Sequence, residues 1–176
     1  MIRAFSLYNH FCEKNQNAIL KLMNSKKYWL IKSEGDCYSI DDLKKDRQSQ
    51  WSGVRSYQAR NFMRDEMSIG DLALFYHSNS KPSGVYGVAQ VISKPHPDTT
   101  QFDSKDEHFD PRSSEENPIW MCVNFKFVSK LKHPISLQEI KINPKLEGML
   151  VRRKGDRLSI QPVSQKHFDY LLKINN

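Results

Sequence analysis

Cysteine is scarce in this sequence. Its three copies, Cys12, Cys37 and Cys122, lie far apart and are odd in number. No CxxC pair and no Cys/His spacing suited to a metal occurs, which argues against a disulfide framework and against a zinc site. A reducing compartment follows: the cytoplasm, nucleoid association included, or the nucleus if the source is eukaryotic. Glycine is also sparse, at seven. No Gly-rich phosphate loop, nucleophile elbow or zincin motif is present, so neither a cofactor nor a metal is expected. No apolar run approaches the roughly 20 residues of a membrane span, so no membrane partner is expected.

Charge is what the chain has in excess. Lys and Arg number 27 against 20 Asp and Glu, a net +7, and the pI is near 9.3. Such a surplus favours polyanions, either nucleic acid or an anionic membrane surface. The 176 residues have room for one good core, so one domain is the default. The first 26 residues read as an extension, a short amphipathic helix or a non-native start, because the first clear strand follows them. Glu13 and Lys14 interrupt their apolar character and speak against a cleaved secretory signal.

From Tyr28 the pattern is regular. Tyr28 to Ser33 is rich in β-favouring residues and predicts a strand. Ser39 and Asp42 resemble a capping box opening a short helix from Ile40 to Lys45. A helix is expected from about Ser56 to Glu66, with Ala59, Phe62 and Met63 inward and Tyr57, Arg60, Asn61 and Arg64 on another stripe. Strands are expected at Leu72 to His77, Val85 to Ile92 and Leu158 to Pro162, with a long, bent one from Ile119 to Leu131. Gly87 suggests a bulge or a close backbone approach. Ser136 with Glu139, and Ser164, cap two further helices. Residues 94–118 form a polar connection with seven acidic and three basic residues; a loop of that length predicts function or mobility. About five or six strands with small helices at the corners give an α+β fold built on a curved sheet or barrel.

The residues that could do chemistry cluster unevenly. WSGVRSYQARNFMRD (51–65) puts Trp51 in a loop beside Ser52 and Gly53, polar company that makes it a candidate stacking platform, whereas Trp29 and Trp120 read as core. His77 ends a strand, a position where histidine is more often structural. Lys32 and Glu34 project from one side of the first strand with Ser33 between them, either as a surface ion pair or as the wall of a polar pocket. Arg152, Arg153, Lys154 and Arg157 form a basic cluster suited to phosphate or to plain solvation.

Taken together, YWLIKSEG (28–35), WSGVRSYQARNFMRD, GDLALFYHS (70–78), GVYGVAQVISKPHPD (84–98), FDPRSSEENPIW (109–120) and RLSIQPV (157–163) resemble the EVE domain of the PUA-like superfamily, its thymocyte nuclear protein branch included. The resemblance spans residues 27–176. The chain departs from the family pattern at Gly35, where the family has proline, and at Ser56, where it has asparagine; serine is itself a good N-cap. The resemblance implies a PUA-like barrel with a rim pocket that reads a modified nucleobase, modified cytosine in DNA foremost, and no catalysis. On that expectation Trp51 and Tyr57 wall an aromatic cage, with Tyr76 and His77 arriving from the neighbouring strand. Ser33, Glu34 and Asn61 then read the base edge, and Arg55, Arg60, Arg64, Lys81, Arg152, Arg153 and Arg157 meet the backbone. The expected partner is DNA or RNA carrying a modified base, with the protein a monomer or weak dimer.

Two other readings stay open. A PUA-like module can bind RNA by fold and charge without regard to modification. Some ASCH relatives resemble amidohydrolases that use a Lys, a Thr and a Glu. Lys32 and Glu34 could fill two of those parts, but the only threonines, Thr99 and Thr100, lie in the acidic loop.

Overall fold

The structure, a computed structural model, describes residues 26–175. The extension expected over 1–26 therefore lies outside the described residues, apart from Lys26. Eight strands and four α-helices follow: β1 (Tyr28–Glu34), α1 (Ile40–Asp46), β2 (Gln48–Gln50), α2 (Tyr57–Asn61), β3 (Leu72–Ser78), β4 (Gly84–Val91), β5 (His96–Pro97), β6 (Met121–Cys122), β7 (Asn124–Ser136), α3 (Leu137–Ile142), β8 (Ile160–Val163) and α4 (Gln165–Lys173). Six strands form one mixed sheet in the order β2-β7-β4-β3-β1-β8, and β5 with β6 makes a small second sheet. The α+β architecture with a curved sheet is the one the strand pattern predicts.

The sheet separates two cores, because successive side chains in a strand face opposite ways. Trp29 and Ile31 of β1, Ala73 and Phe75 of β3, and Ala89 and Val91 of β4 join Ile40, Leu43, Trp51, Ala59 and Met63 on one face. Leu30, Leu74, Tyr76, Val85 and Val88 meet Ile140, Phe168 and Leu171 on the other. Burial on both faces explains why β1 and β3 read as nearly unbroken apolar runs, the mark of a parallel pair at a sheet centre. Their register sets Trp29 against Ala73, Leu30 against Leu74 and Ser33 against His77.

Local signals hold where the chemistry is local. Ser39–Asp42 and Ser136–Glu139 are reciprocal capping boxes, and Ser56 and Ser164 cap their helices through Ala59 N–H and His167 N–H. The expected 56–66 helix is α only to Asn61. It then widens into a π-turn, Phe62–Glu66, closed by Met67 N–H donating to the Phe62 carbonyl at 2.9 Å. Gly87 serves both of its expected purposes. The β3–β4 register shifts beside it, and a Cβ there would stand 2.6 Å from Ile40 Cγ1 and from the Ser129 carbonyl oxygen.

Two expectations shift. The predicted 119–131 strand is broken at Val123, with Met121–Cys122 leaving to pair with β5 and β7 running on to Ser136. The last strand begins at Ile160 and pairs with β1 alone, an edge position where Pro162 costs no ladder bond.

Candidate nucleic-acid interface

Because the sheet is not closed, β2 and β8 are its two edges. Both border one recess of about 520 Å³, with Ser49 and Gln50 on the β2 side, Ser159 just before β8, Lys32 and Ser33 of β1 between them, and the 51–56 loop across the mouth. Its aromatic lining comes from Tyr38 and from Trp51. The Trp51 ring is 8% exposed and is gripped edge-on by Phe75 and Phe125, each with centroids 5.5 Å away. It is thus a core residue presenting a sliver of surface, and not the free platform that its polar neighbours predict.

The recess keeps hydrogen-bonding capacity. Ser33 Oγ donates only a long 3.4 Å bond to the adjoining Glu34 carbonyl. Gln50 spends its amide nitrogen on Cys122 Sγ, at 3.2 Å, and leaves its oxygen without a partner among the described residues. Burial pushes that Cys122 thiol up to about 12, so it is an inert neighbour. Lys32 is already engaged, with Nζ 3.2 Å from both the Asp156 carbonyl and Asp156 Oδ2.

Lys32 and Ser159 also line a second, wider recess of about 890 Å³, where Glu34, Tyr76, Lys141, Arg153, Asp156 and Arg157 gather. Tyr76 and Glu34 therefore line this second recess, and not the one that Trp51 borders. Tyr76 is buried, which raises its phenol pKa, and Glu34 Oε1 accepts from Asn79 Nδ2 at 2.7 Å. Arg153 and Arg157 are exposed, with no side-chain partner among the described residues. Arg152 differs from them, since its Nη2 donates to the Lys141 carbonyl at 2.7 Å.

The other sequence candidates lie apart. His77 is buried, and its Nε2 accepts the backbone N–H of Ile40 at 3.0 Å, satisfying a donor at the start of α1. Its ring stacks on Tyr86, centroids 4.0 Å apart, and the pair shares a separate depression with Lys81. Burial lowers the His77 pKa, which keeps the ring neutral as that bond requires. Tyr57 does not line the recess and stacks on Trp120, centroids 4.9 Å apart. Asn61 Oδ1 accepts from Arg60 Nε and Nη2 at 3.0 and 2.7 Å, and Arg60 Nη1 reaches the Ile119 carbonyl. Arg64 is bidentate to its neighbour Asp65.

Arg55 is a brace. It donates to Asp98 Oδ2 at 2.8 Å, to Thr100 Oγ1 at 2.8 Å, and to the carbonyls of His108 and Val54. Asp98 is buried and also accepts the Gly53 N–H at 2.8 Å. Burial alone would raise this carboxyl, but the bonds from Arg55, Thr100 and Gly53 outweigh it and hold the pKa below its ordinary value. Farther along, Asp110 binds Arg112 and Trp120 Nε1, which keeps its carboxyl well below the usual carboxylate range. Asp98 and Asp110 are therefore internal fasteners of the 94–118 connection, and through Gly53 and Arg55 Asp98 sets the far wall of the recess.

The Lys–Thr–Glu set of an amidohydrolase is not assembled. Lys32 is paired with Asp156, Glu34 with Asn79, and Thr100 Oγ1 donates to Asp98 Oδ1 at 2.7 Å. Neither threonine lines either recess.

Comparison with known proteins places this geometry. Residues 27–174 match the EVE domain. The chain belongs to that family. Thymocyte nuclear protein 1 of Gallus gallus is 42% identical over 167 residues, 84% of this chain and 68% of the relative. A hypothetical protein from Leishmania major superposes with a TM-score of 0.82 at 44% identity, covering 86% of this chain and 95% of that one. The human THYN1 protein, in complex with 5-methylcytosine containing DNA, superposes at 0.79 with 38% identity, covering 86% and 98%. In this EVE domain, sequence reasoning overlooked Ser159, Gln50 and Asp156. The first two are polar residues just before or on an edge strand, and carry no local signature.

Proposed function

We propose that this EVE domain binds a modified nucleobase, modified cytosine in DNA foremost, in the recess between the β2 and β8 edges, and performs no reaction on it. One observation carries the reading: a recess of about 520 Å³ that sets the Trp51 ring beside underused Ser33 and Gln50 polar atoms. That volume lies in the range of small-ligand sites, about 300–1,000 Å³, which pair apolar walls with few polar groups. The relative seen with 5-methylcytosine containing DNA supports both the polymer and the modification. A nuclear place of action, as in the relatives' name, suits a DNA ligand.

The energetics fit a reader. Extruding a base from a duplex costs a few kcal/mol, least where the base is already unpaired. Contact with an aromatic wall returns part of it, and one added methyl buried there contributes about 0.8 kcal/mol, or about fourfold in affinity. The exposed Arg153 and Arg157 beside the recess meet phosphates, which adds affinity without base information.

The test compares oligonucleotides that differ only at one cytosine, as DNA and as RNA, with wild type and Ser159→Leu. Ser159 gives its carbonyl to Lys32 N–H, a bond the substitution keeps while the longer side chain fills the mouth. Wild type prefers the methylated strand; Ser159→Leu loses that preference and keeps the salt-dependent background. Equal affinity of wild type for modified and plain strands, across a panel of modified cytosines, rejects the proposal.

A further inference from the structure

Tyr57 is the aromatic residue that the base recess leaves unexplained. It follows Ser56 of the recess wall, yet half of it is exposed (50%). It is nevertheless firmly mounted. Trp120 beneath it is 3% exposed and is held by bonds from its Nε1 to Asp110 and from its N–H to Gln101 Oε1, both 2.8 Å. The Arg60 guanidinium rests 4.9 Å from the Tyr57 centroid and 5.9 Å from that of Trp120. Arg60 and Arg55 spend their donors on Asn61, Ile119, Asp98, Thr100 and His108. This side of the recess therefore offers a fixed aromatic surface with its Arg55 and Arg60 donors committed, while Arg112 beside Tyr57, 65% exposed, is held to Asp110 through Nε and Nη2. Phosphate recognition needs free donors, whereas stacking needs only a ring face, and a ring immobilised in advance loses little entropy on binding.

Resting on the base-recess reading, we propose that Tyr57 is a stacking site for the nucleobase next to the extruded one. Extrusion leaves the neighbouring base with an uncovered face, and a mounted ring one residue from the recess wall can cover it. Because every base has such a face, this stacking is sequence-tolerant. It strengthens binding of modified and unmodified strands by the same factor.

The experiment uses single-stranded DNA with one 5-methylcytosine in three forms: both neighbours intact, the 5′ neighbour abasic, and the 3′ neighbour abasic. An intact unmodified strand completes the set. Affinities are measured for wild type, Tyr57→Phe, Tyr57→Leu and Tyr57→Ala. Tyr57→Leu keeps apolar cover over Trp120, so the comparison survives if the alanine variant does not fold. Tyr57→Leu and Tyr57→Ala weaken binding of the intact strand about tenfold or more, as loss of one stacked base requires, and Tyr57→Phe does not. On one of the abasic strands all four proteins bind alike. Unchanged binding of the intact strand by the leucine variant, or a loss that persists on both abasic strands, overturns the proposal. Preference for the modified strand reports on the recess separately. If wild type shows no such preference while the Tyr57 loss still vanishes on an abasic strand, the base-recess reading falls and the stacking site stands.

Discussion

The Lys32 ammonium stands 3.2 Å from the Asp156 carboxylate, with both side chains about one-eighth exposed (12% and 15%). The pair sits where the two recesses share Lys32 and Ser159 as a common wall. Asp156 thus sets a negative charge among Lys32, Lys141, Arg153 and Arg157, the cations that meet phosphate on the proposed reading. Asp156→Asn keeps an oxygen for Lys32 and removes that charge. Affinity for DNA rises a few-fold at low ionic strength and the gain shrinks as salt is added, because screening erases a charge effect. Anisotropy titrations across a salt series check this; a gain that does not depend on salt contradicts it.

Arg153 and Arg157 carry the complementary expectation. Each is exposed beside the wider recess and has no side-chain partner among the described residues. Replacing either by alanine weakens binding of modified and plain strands equally and lowers the salt slope by about one. A change in the modified-to-plain ratio would place the residue at the base and not at the phosphate.

Two arginines nine residues apart differ sharply in what they hold. Arg55 is mostly buried against Asp98, which is almost fully buried (21% and 1% exposed), while Arg64 pairs with Asp65 at the surface. Removing one partner of a buried pair leaves the other uncompensated, a loss of about 3–5 kcal/mol. Arg55→Ala therefore loses stability on that scale in urea and loosens the 94–118 connection. Arg64→Ala leaves the urea midpoint where it is. An Arg55→Ala protein as stable as wild type would show that its bonds to the connection are dispensable.

That contrast also marks what the sequence can tell. Strands with period-two patterning, and caps whose partners lie three residues away, were legible because their physics is local. Arg55 and Arg64 stand on one motif, but the carboxylate that decides the role of Arg55 is 43 residues distant. His77 likewise takes its meaning from Ile40, 37 residues away. Trp51 has polar neighbours in sequence and Phe75 and Phe125 in space, so the expected platform is a wall. The three-residue β2, Gln-Ser-Gln, has no hydrophobic pattern at all; its pairing with β7 defines it. Of the residues that the family resemblance singled out, Trp51, Ser33 and Arg55 line the recess, whereas Ser159 and Gln50 beside them carry no local sign in the sequence.

Gly87 tests the packing that positions α1. With Ile40 Cγ1 and the Ser129 carbonyl oxygen each 2.6 Å from where a Cβ would be, one neighbour is a fully buried side chain and the other is backbone. Neither yields freely, so Gly87→Ala costs about 1–3 kcal/mol through overpacking. Combined with Ile40→Ala, which removes both Cγ1 and Cδ1, Gly87→Ala costs less than it does alone if the clash with the side chain dominates. An undiminished cost assigns the clash to the strand backbone.

His77 gives the fold a pH dependence whose sign follows from its environment. Burial is the main cause of its lowered pKa, with Lys130 adding to the effect and Asp41 and Asp42 opposing it. The unfolded imidazole titrates near 6.5, above the folded value. Over that window the unfolded chain binds more protons, so stability rises with pH and is fully present above about 6.5. Below it, stability falls until the folded imidazole also protonates, and Nε2 then no longer accepts the Ile40 N–H. His167, whose pKa burial also lowers, contributes in the same direction. His77→Gln offers Ile40 an amide oxygen that does not titrate. Urea unfolding at pH 7.5 and pH 5.5 therefore shows a smaller acid loss in His77→Gln than in wild type. If the two proteins lose stability in parallel, His77 is not the group that senses the proton.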